Sequence, residues 1–310
     1  MKSTILITGG AGNVASALAS KLAENSDNFV VILDNLSTGS MSKIPLKDNV
    51  KFVKADANNY KDIVPIFGRY DFDFVFHYAA VVGVKRTLEN PIMVLNDIEG
   101  IKNILSLSKN SGVKRVFYSS SSEVYGEPFE IPQNEKTTPL NSRLPYAIVK
   151  NVGEAFFKSY YQEYGLEYTI FRFFNTYGPN QSDDFVVPRF IKAALKNEPI
   201  YLYGDGLQTR SFCYVDDNIE TCIKSMSNKE CINDVLNVGS DIEMTILSLA
   251  QQILEITNSK SQIIHLDPLA EGDMTRRCPD TTKMKKILGR KLISLQVGIN
   301  KLISHYENRQ

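Results

Sequence analysis

The chain has 310 residues and equal numbers of basic and acidic side chains, 35 Lys plus Arg and 35 Asp plus Glu. This balance lacks the basic excess of nucleic-acid-binding proteins, and no stretch approaches the apolar length of a membrane span. Because Met1-Lys2-Ser3 leads straight into an apolar segment rather than a signal sequence, we expect a cytoplasmic protein without nucleic-acid or membrane partners.

The first predicted element is a buried strand that ends in a glycine-rich turn. An apolar run at residues 5–7 stops at Thr8, and a G-x-x-G-x-x-A spacing precedes a helical pattern. Glycines let the backbone approach a diphosphate closely, and the N-terminus of the following helix favours negative charge. The motif predicts a dinucleotide site that includes Gly9, Gly12, Asn13 and Val14, although an ordinary strand-to-helix turn fits this motif equally well on its own.

The next two strands supply carboxylates. Asp34 ends the apolar run 29–33, about twenty residues beyond the glycine turn, where a carboxylate accepts hydrogen bonds from the adenosine ribose. Its charge repels a 2′-phosphate, so NAD is expected rather than NADP. A third strand at residues 50–54 leads to Asp56, which we place beside the adenine, and we expect Asn35 and Ala57 to join this part of the cofactor site.

A fourth strand at residues 73–77 leads into Ala79 and Ala80, whose small side chains leave room for the nicotinamide half of a dinucleotide. His77 is expected to be structural. A long amphipathic helix is predicted over residues 91–110, and a fifth strand over 113–122 ends in four serines. The carboxyl end of a parallel strand is where doubly wound proteins keep their ligand chemistry.

A helix starting near Pro145 carries Tyr146 and Lys150, four positions apart and therefore on one face. An adjacent ammonium favours the phenolate, so this pair predicts a tyrosine base, with Ser121 holding the same substrate hydroxyl. A core tyrosine and a surface lysine often occur at this spacing by chance. Chance is improbable here, because the glycine turn, Asp34 and the serine-rich strand end occur in the same chain.

The alternation of strands and helices predicts an α/β fold, a Rossmann doubly wound parallel sheet, with a smaller, discontinuous C-terminal substrate-binding lobe. We divide the chain into an NAD-binding domain, residues 1–172, and a substrate-binding part, residues 173–310, here called the substrate lobe. Segments 213–215 and 234–238 are expected to return to the large sheet. The four cysteines and three histidines show no metal-ligand spacing, so we expect reduced, mostly buried thiols and no metal.

Six motifs resemble the NAD-dependent nucleotide-sugar epimerase/dehydratase family, the extended short-chain dehydrogenases, over nearly the whole chain. They occupy residues 8–12, 34–39, 119–126, 146–150, 175–179 and 208–212. The resemblance implies that Ser121, Tyr146 and Lys150 oxidise the sugar of a nucleotide-diphosphate sugar at C4, with NAD as the cofactor. It also implies that Asn175 and Arg210 bind the substrate diphosphate, that Tyr203 lies near the base, and that the protein is a homodimer.

The fate of the 4-keto sugar is less determined. Residues 77–84 and Tyr146-Ala147 resemble 4-epimerases, which we favour, whereas Ser121-Ser122-Glu123 and Arg277 resemble uronate decarboxylases, in which Glu123 is catalytic. A further alternative is a net C4 dehydrogenase that releases the ketone. The least favoured alternative is a non-catalytic NAD sensor. Ala15 and Asp97 depart from the family pattern, so altered cofactor packing and altered hydrogen bonding near the nicotinamide are expected.

Overall fold

A seven-stranded parallel sheet organises the computed structural model, which describes residues 3–268 and 276–307. The ends of the two predicted parts, residues 1–2 and 308–310, lie outside the described residues. The strands of this sheet, in chain order, are β1 (Ser3–Thr8), β2 (Asn28–Asp34), β3 (Val50–Lys54), β4 (Phe74–His77), β5 (Arg115–Ser121), β6 (Glu167–Phe173) and β11 (Asp234–Val238). Their spatial order is β11-β6-β5-β4-β1-β2-β3, so the order reverses between β1 and β4. This is the doubly wound Rossmann-like arrangement that the sequence predicted, and ligands bind at such a reversal.

The long apolar runs of the strands follow from helices covering both faces of the sheet. Ile5 and Ile7 point into one hydrophobic core, and Leu6, between them, points into the other. Both faces are buried, so a β-branched run without alternation is what the fold requires. The helices are α1 (Asn13–Leu22), α2 (Tyr60–Arg69), α3 (Val84–Glu89), α4 (Pro91–Leu95), α5 (Asp97–Asn110), α6 (Pro145–Tyr164), α7 (Val186–Leu195), α8 (Val215–Ser227), α9 (Ile246–Thr257), α10 (Thr282–Leu288) and α11 (Leu295–Glu307).

The single helix predicted over residues 91–110 is two helices, α4 and α5, separated by Asn96. Asn96 keeps helical dihedral angles, φ −63° and ψ −19°, but the Glu99 N–H bonds to the Asn96 carbonyl three residues back instead of four. The interruption is therefore one tightened turn. It comes directly before Asp97, whose side chain faces inward and is nearly buried.

The prediction that residues 213–215 return to the large sheet is wrong. Six short strands pair in three small sheets away from it: β7 (Thr176–Tyr177) with β10 (Cys213–Tyr214), β9 (Thr209–Ser211) with β12 (Glu243–Thr245), and β8 (Ile200–Tyr203) with β13 (Ile263–Leu266). Residues 234–238 do return, as β11 beside β6. The division of the chain after residue 172 stays our proposal.

The cysteines, the possible metal ligands and the helices of the described residues can be compared with the expectations from the sequence. All four cysteines are buried and unpaired. Within residues 3–268 and 276–307, no group of three or more His, Cys, Asp or Glu side chains is arranged to hold a metal ion. In the same part of the chain, no helix combines the length and apolar character needed to cross a membrane.

Candidate functional site

A cavity of about 850 Å³ opens at the carboxyl ends of β1, β2, β4 and β5. It extends from the glycine turn and Asp34, past the end of β4, to the serines that end β5 and to Tyr146 on α6. Predicted residues that line it are Gly9, Gly12, Asn13, Val14, Asp34, Asn35, Asp56, Ala57, Ala79, Ala80, Ser121, Glu123, Tyr146, Asn175 and Arg277. The sequence therefore identified most of one continuous site.

The glycine turn is shaped by close backbone contacts. Gly9 has φ +68°. A Cβ at this position would lie 2.7 Å from the backbone nitrogen of Ala79, just after β4, so any side chain here would collide with that backbone. Gly12 precedes α1 with no side-chain cap, which leaves the first N–H groups of α1 directed at the cavity. Ala15 is buried in the core beneath, so its methyl group is accommodated where a third glycine was expected. The turn fits an anionic diphosphate.

Asp34 is held in a fixed orientation at the end of β2. Its carboxylate accepts the Ala11 N–H at 3.0 Å and the Leu36 N–H at 2.7 Å. A Cβ on Gly39 would lie 2.8 Å from its Oδ1, so the chain folds closely over this group. A carboxylate has about four lone-pair sites, so acceptor capacity remains for ribose hydroxyls. The predicted ribose role is compatible with this geometry.

The end of β4 is held by Thr8 and His77. The Thr8 hydroxyl accepts the N–H groups of Tyr78 and Ala79, each at 3.1 Å, and lies 2.9 Å from His77 Nδ1. Burial, followed by the charge of Lys150, lowers the pKa of His77 to about 3. The imidazole is therefore neutral, as the expected structural role requires.

The hydroxyl groups proposed for chemistry lie where β5 meets α6. The Ser121 side chain accepts the Glu123 N–H at 3.2 Å and caps a 3₁₀ helix, Ser122–Tyr125. Burial and the Glu123 charge raise the pKa of Tyr146, while a hydrogen bond from Ser121 and the charge of Arg277 act in the opposite direction. The phenol of the protein alone is therefore protonated.

Lys150 is 3% exposed and is not among the residues that line the cavity. Its Nζ donates to the Ser119 carbonyl at 2.7 Å and lies 5.6 Å from the centre of the Tyr146 ring. Burial lowers the pKa of Lys150 to about 8, against an opposing contribution from Asp97. The ammonium thus bridges the strand that carries the serines and the helix that carries Tyr146.

Glu123 and Arg277 form an ion pair in the cavity wall. Arg277 Nη1 lies 2.6 Å from Glu123 Oε1, and both side chains are mostly buried. Among the described residues, Glu123 Oε2 and Arg277 Nε have no hydrogen-bond partner although both atoms are buried. Such unsatisfied charged atoms in a cavity are candidates for contact with a polar ligand.

The predicted substrate-lobe residues separate into two groups. Asn175 borders the cavity and donates to the Ser211 carbonyl at 3.2 Å. Tyr203, on β8, and Arg210, a buried residue on β9 that donates to the Thr209 carbonyl at 2.7 Å, do not border it. Their contribution to substrate binding stays a prediction.

The sequence argument did not identify several residues of the cavity. Asn58, Lys43 and Arg86 line it, from the turn after β3, a short 3₁₀ helix and α3 respectively. Asp97, noted only as a departure, is also in the wall, where its carboxylate accepts the Val81 N–H and the Asn58 side-chain amide. The run Asp56-Ala57-Asn58 after a strand was a usable signal for Asn58, whereas nothing in the local pattern marks Lys43 or Arg86.

These residues fit a dinucleotide. The glycine turn leaves a space that a Cβ at Gly9 would fill, and α1 directs free N–H groups toward the position of a diphosphate. Asp34 faces the adjacent position, where a ribose would lie. At the other end, Tyr146, Ser121 and the Glu123–Arg277 ion pair surround the place where a nicotinamide and a substrate would meet.

Comparison with known proteins supports this assignment. A model of the NAD dependent epimerase/dehydratase family matches residues 5–239. The chain is 37% identical to the UDP-N-acetyl-alpha-D-glucosaminuronate decarboxylase of Bacillus cytotoxicus, over 93% of this chain and 92% of that protein. The crystal structure of UDP-glucose 4-epimerase from Thermotoga maritima, with UDP-glucose, superposes with a TM-score of 0.93 at 31% identity and covers 99% of both chains.

A third similar structure is that of UDP-glucuronic acid 4-epimerase from Bacillus cereus in complex with UDP-glucuronic acid and NAD. It has a TM-score of 0.89 and 27% identity, covering 99% of this chain and 100% of that one. Since the family model spans most of the chain and these relatives match it almost from end to end, the chain belongs to the NAD-dependent epimerase/dehydratase family, whose members are enzymes that use NAD.

Proposed function

We propose that this enzyme is a nucleotide-sugar 4-epimerase, which oxidises C4 of a nucleotide-diphosphate sugar and returns the hydride to the opposite face. The observation that carries the proposal is the placement of Ser121, Tyr146 and Lys150 around one end of a cavity whose other end is a diphosphate cradle. The relatives named above act on UDP-sugars, which supports a substrate of this class.

Each side chain then has a separate task. NAD, when bound, supplies the hydride acceptor. Tyr146 takes the proton of the C4 hydroxyl, Ser121 hydrogen-bonds the same oxygen and fixes its direction, and the Lys150 ammonium stabilises the phenolate by its charge. Epimerisation needs no further acid or base, because the 4-keto sugar only has to rotate within the site before it accepts the hydride on its other face.

Decarboxylation of a nucleotide uronate is a second candidate, favoured by the Glu123–Arg277 ion pair. A guanidinium matches a carboxylate in geometry and charge, so Arg277 is suited to hold the C6 carboxylate of a uronate. Oxidation at C4 makes such a sugar a β-keto acid, which loses carbon dioxide readily. The decarboxylase from Bacillus cytotoxicus supports this branch.

The Glu123→Gln variant distinguishes the two reactions. In a 4-epimerase, Glu123 lies outside the chemistry, so turnover should stay within a few-fold of the wild-type rate. In a decarboxylase, the variant should accumulate NADH without releasing product. We would follow NADH absorbance together with product analysis, using mass spectrometry for loss of carbon dioxide and NMR for a change of configuration at C4.

The substrates for this assay are UDP-hexoses and the matching UDP-uronates. The Glu163→Gln variant is the control, because Glu163 is exposed on α6 far from the ion pair in sequence. Stalled NADH in Glu123→Gln alone, with a uronate as substrate, would contradict the epimerase proposal. Failure of the wild-type protein to reduce NAD with any nucleotide sugar would reject both reactions.

We also infer a homodimer formed through α4 and α6. Most of the apolar side chains of α5, the second half of the amphipathic helix predicted over residues 91–110, are buried within the chain. The exposed ones lie on α4 and α6, with Ile92 70% and Ile148 40% exposed. Others on these two helices are Met93, Leu95, Tyr161 and Tyr164. A two-fold contact between copies would cover this face.

The dimer is tested by light scattering across a range of concentrations. The wild-type protein is expected to show twice the chain mass, and the double variant Ile92→Asp, Ile148→Asp is expected to shift to the chain mass. The Leu46→Asp variant is the control, since Leu46 is 99% exposed outside these helices. A wild-type mass equal to one chain at every concentration would exclude the dimer.

A further inference from the structure

Tyr118 is a buried residue of β5, the strand that ends at Ser121. Its ring stacks on Phe157 with 4.7 Å between the ring centres and on His77 with 6.1 Å between them. Its hydroxyl is buried and has no hydrogen-bond partner among the described residues. Burial raises the pKa of this phenol well above its usual range, so the side chain is neutral. Tyr118 therefore interacts with its neighbours through its ring, and not through a hydrogen bond or a charge.

One face of helix α6 packs against this side chain. Lys150, Gly153 and Phe157 are spaced by three and four residues, so they lie along a single face of the helix. The same face carries Tyr146, about one turn before Lys150. A Cβ on Gly153 would overlap the Tyr118 hydroxyl, so the glycine provides the space that the phenol occupies. Tyr118 thus sets how closely α6 approaches β5 at the level of Lys150.

The Lys150 ammonium lies over the Tyr118 ring. Its Nζ is 5.2 Å from the centre of that ring and 5.6 Å from the centre of the Tyr146 ring. Within the part of the chain that the structure describes, Lys150 forms no ion pair, and its hydrogen bond is to the Ser119 carbonyl. The negative face of an aromatic ring attracts an ammonium within about 6 Å, more strongly where both groups are removed from water. Tyr118 and Lys150 are 1% and 3% exposed, so this attraction is the strong, desolvated kind.

We propose that Tyr118 is a positioning residue for hydride transfer, because the face of its ring holds the Lys150 ammonium beside Tyr146. The inference rests on the proposed roles of Tyr146 as the base and of Lys150 as the cation that stabilises its phenolate. Tyr118 is not among the residues that line the cavity, so it acts through Lys150 and not on the substrate. Without this ring, the ammonium would keep the Ser119 carbonyl as its fixed partner on β5.

The test varies the charge distribution of the ring while keeping its size nearly constant. Tyr118→Phe should retain most of the rate of single-turnover NADH formation, because the hydroxyl has no hydrogen-bond partner. Phenylalanines with one, two and three ring fluorines would then be incorporated at residue 118. Each fluorine withdraws electron density and weakens the negative face, so the rate should fall stepwise, by about tenfold in total between Phe and the side chain with three fluorines.

The matched control is the same fluorinated series at Phe157. This ring is also fully buried and stacks on Tyr118, but no cation lies over it within the described ranges. Fluorination at Phe157 changes core packing to a similar extent, so the rate should stay near that of the wild type. In a Lys150→Met background, the series at residue 118 should no longer change the residual rate, because the cation that couples to the ring is absent.

A second readout needs no turnover. Lysine isotopically labelled at its ε-carbon gives an NMR signal for each lysine, and the Lys150 signal is the one that Lys150→Met removes. The Tyr118 ring current shifts the ε-methylene protons of Lys150 upfield, so this signal should move downfield in Tyr118→Leu. Tyr161→Leu, which removes a half-exposed ring from the same helix, should leave the signal in place.

A rate that is unchanged across the fluorinated series at residue 118 would overturn the proposal. An equal decline in the series at Phe157 would also overturn it, because the effect would then be one of packing. An unmoved Lys150 signal in folded Tyr118→Leu would exclude the contact itself. If Tyr118→Leu does not fold, the fluorinated series decides, since those variants keep the ring. A wild-type protein that never reduces NAD would instead reject the proposed function, while the NMR signal would still report whether the ring holds the ammonium.

Discussion

Replacing Tyr146 with Phe is expected to reduce hydride transfer by about 10³-fold, within the range that general acid–base groups contribute. The substitution removes one oxygen and keeps the ring, which packs beside Lys150 at 5.6 Å. The oxygen that is lost is the one that hydrogen-bonds with Ser121 at this end of the cavity. The cofactor and the nucleotide sugar should still bind, because the glycine turn and Asp34 are unchanged.

The measurement is single-turnover formation of NADH, with cofactor and substrate binding measured separately by calorimetry. Tyr161→Phe is the matched control, since Tyr161 is half-exposed on the same helix and far from the cavity. NADH formation at the wild-type rate in Tyr146→Phe would remove this residue from the mechanism. Loss of cofactor binding in the same variant would show that the phenol serves binding rather than proton transfer.

Replacing Arg172 with Met is expected to destabilise the fold by about 3 to 5 kcal/mol, the scale for orphaning one member of a buried ion pair. Arg172 and Glu154 are 2% and 1% exposed and share two hydrogen bonds, at 2.8 and 2.7 Å. Ser120 donates to the same carboxylate at 2.7 Å, and Arg172 donates to the Tyr125 hydroxyl at 2.8 Å. The pair thus joins β5, β6 and α6 next to the residues that we propose to be catalytic.

Urea unfolding would measure this loss as a lower midpoint. The double variant Arg172→Met, Glu154→Leu should recover most of the stability, because it also removes the buried carboxylate that the single variant leaves without its partner. Lys102→Met, which breaks an exposed pair with Glu99, is the control and should leave the midpoint nearly unchanged. A midpoint for Arg172→Met equal to that of the wild type would show that water or rearrangement compensates the buried charge.

The elements that the sequence predicted best are those with a local cause. The buried strands β1 and β2 have apolar residues on both faces, and the helix beginning at Pro145 has proline where a first turn tolerates it. Gly9 and Asp34 could be placed because the diphosphate and ribose contacts depend on their spacing from one strand. Each of these predictions needed only neighbouring residues.

Predictions that depended on distant contacts were less successful. Residues 213–214 have the composition of a sheet strand, yet they pair with residues 176–177, and no local pattern specifies that partner. The predicted strand 113–122 ends at Ser121 because the Ser121 side chain caps the following 3₁₀ helix. The pKa of Tyr146 in the protein alone also depends on a distant contact, because burial and the charge of Glu123 raise it and no local pattern brings Glu123 beside Tyr146.

The position of strand β11 limits where the gene can be truncated or recombined with the gene of a relative. The chain leaves the large sheet at Phe173, forms four short strands and α7 outside it, returns through α8, which packs on α1 and β6, and then adds Asp234–Val238 along the open side of β6. A gene truncated after residue 172 would encode a sheet whose β6 edge has bare N–H and C=O groups, a template for aggregation. The two parts therefore depend on each other structurally, and an exchange of the proposed substrate lobe between relatives would also replace β11 of the large sheet.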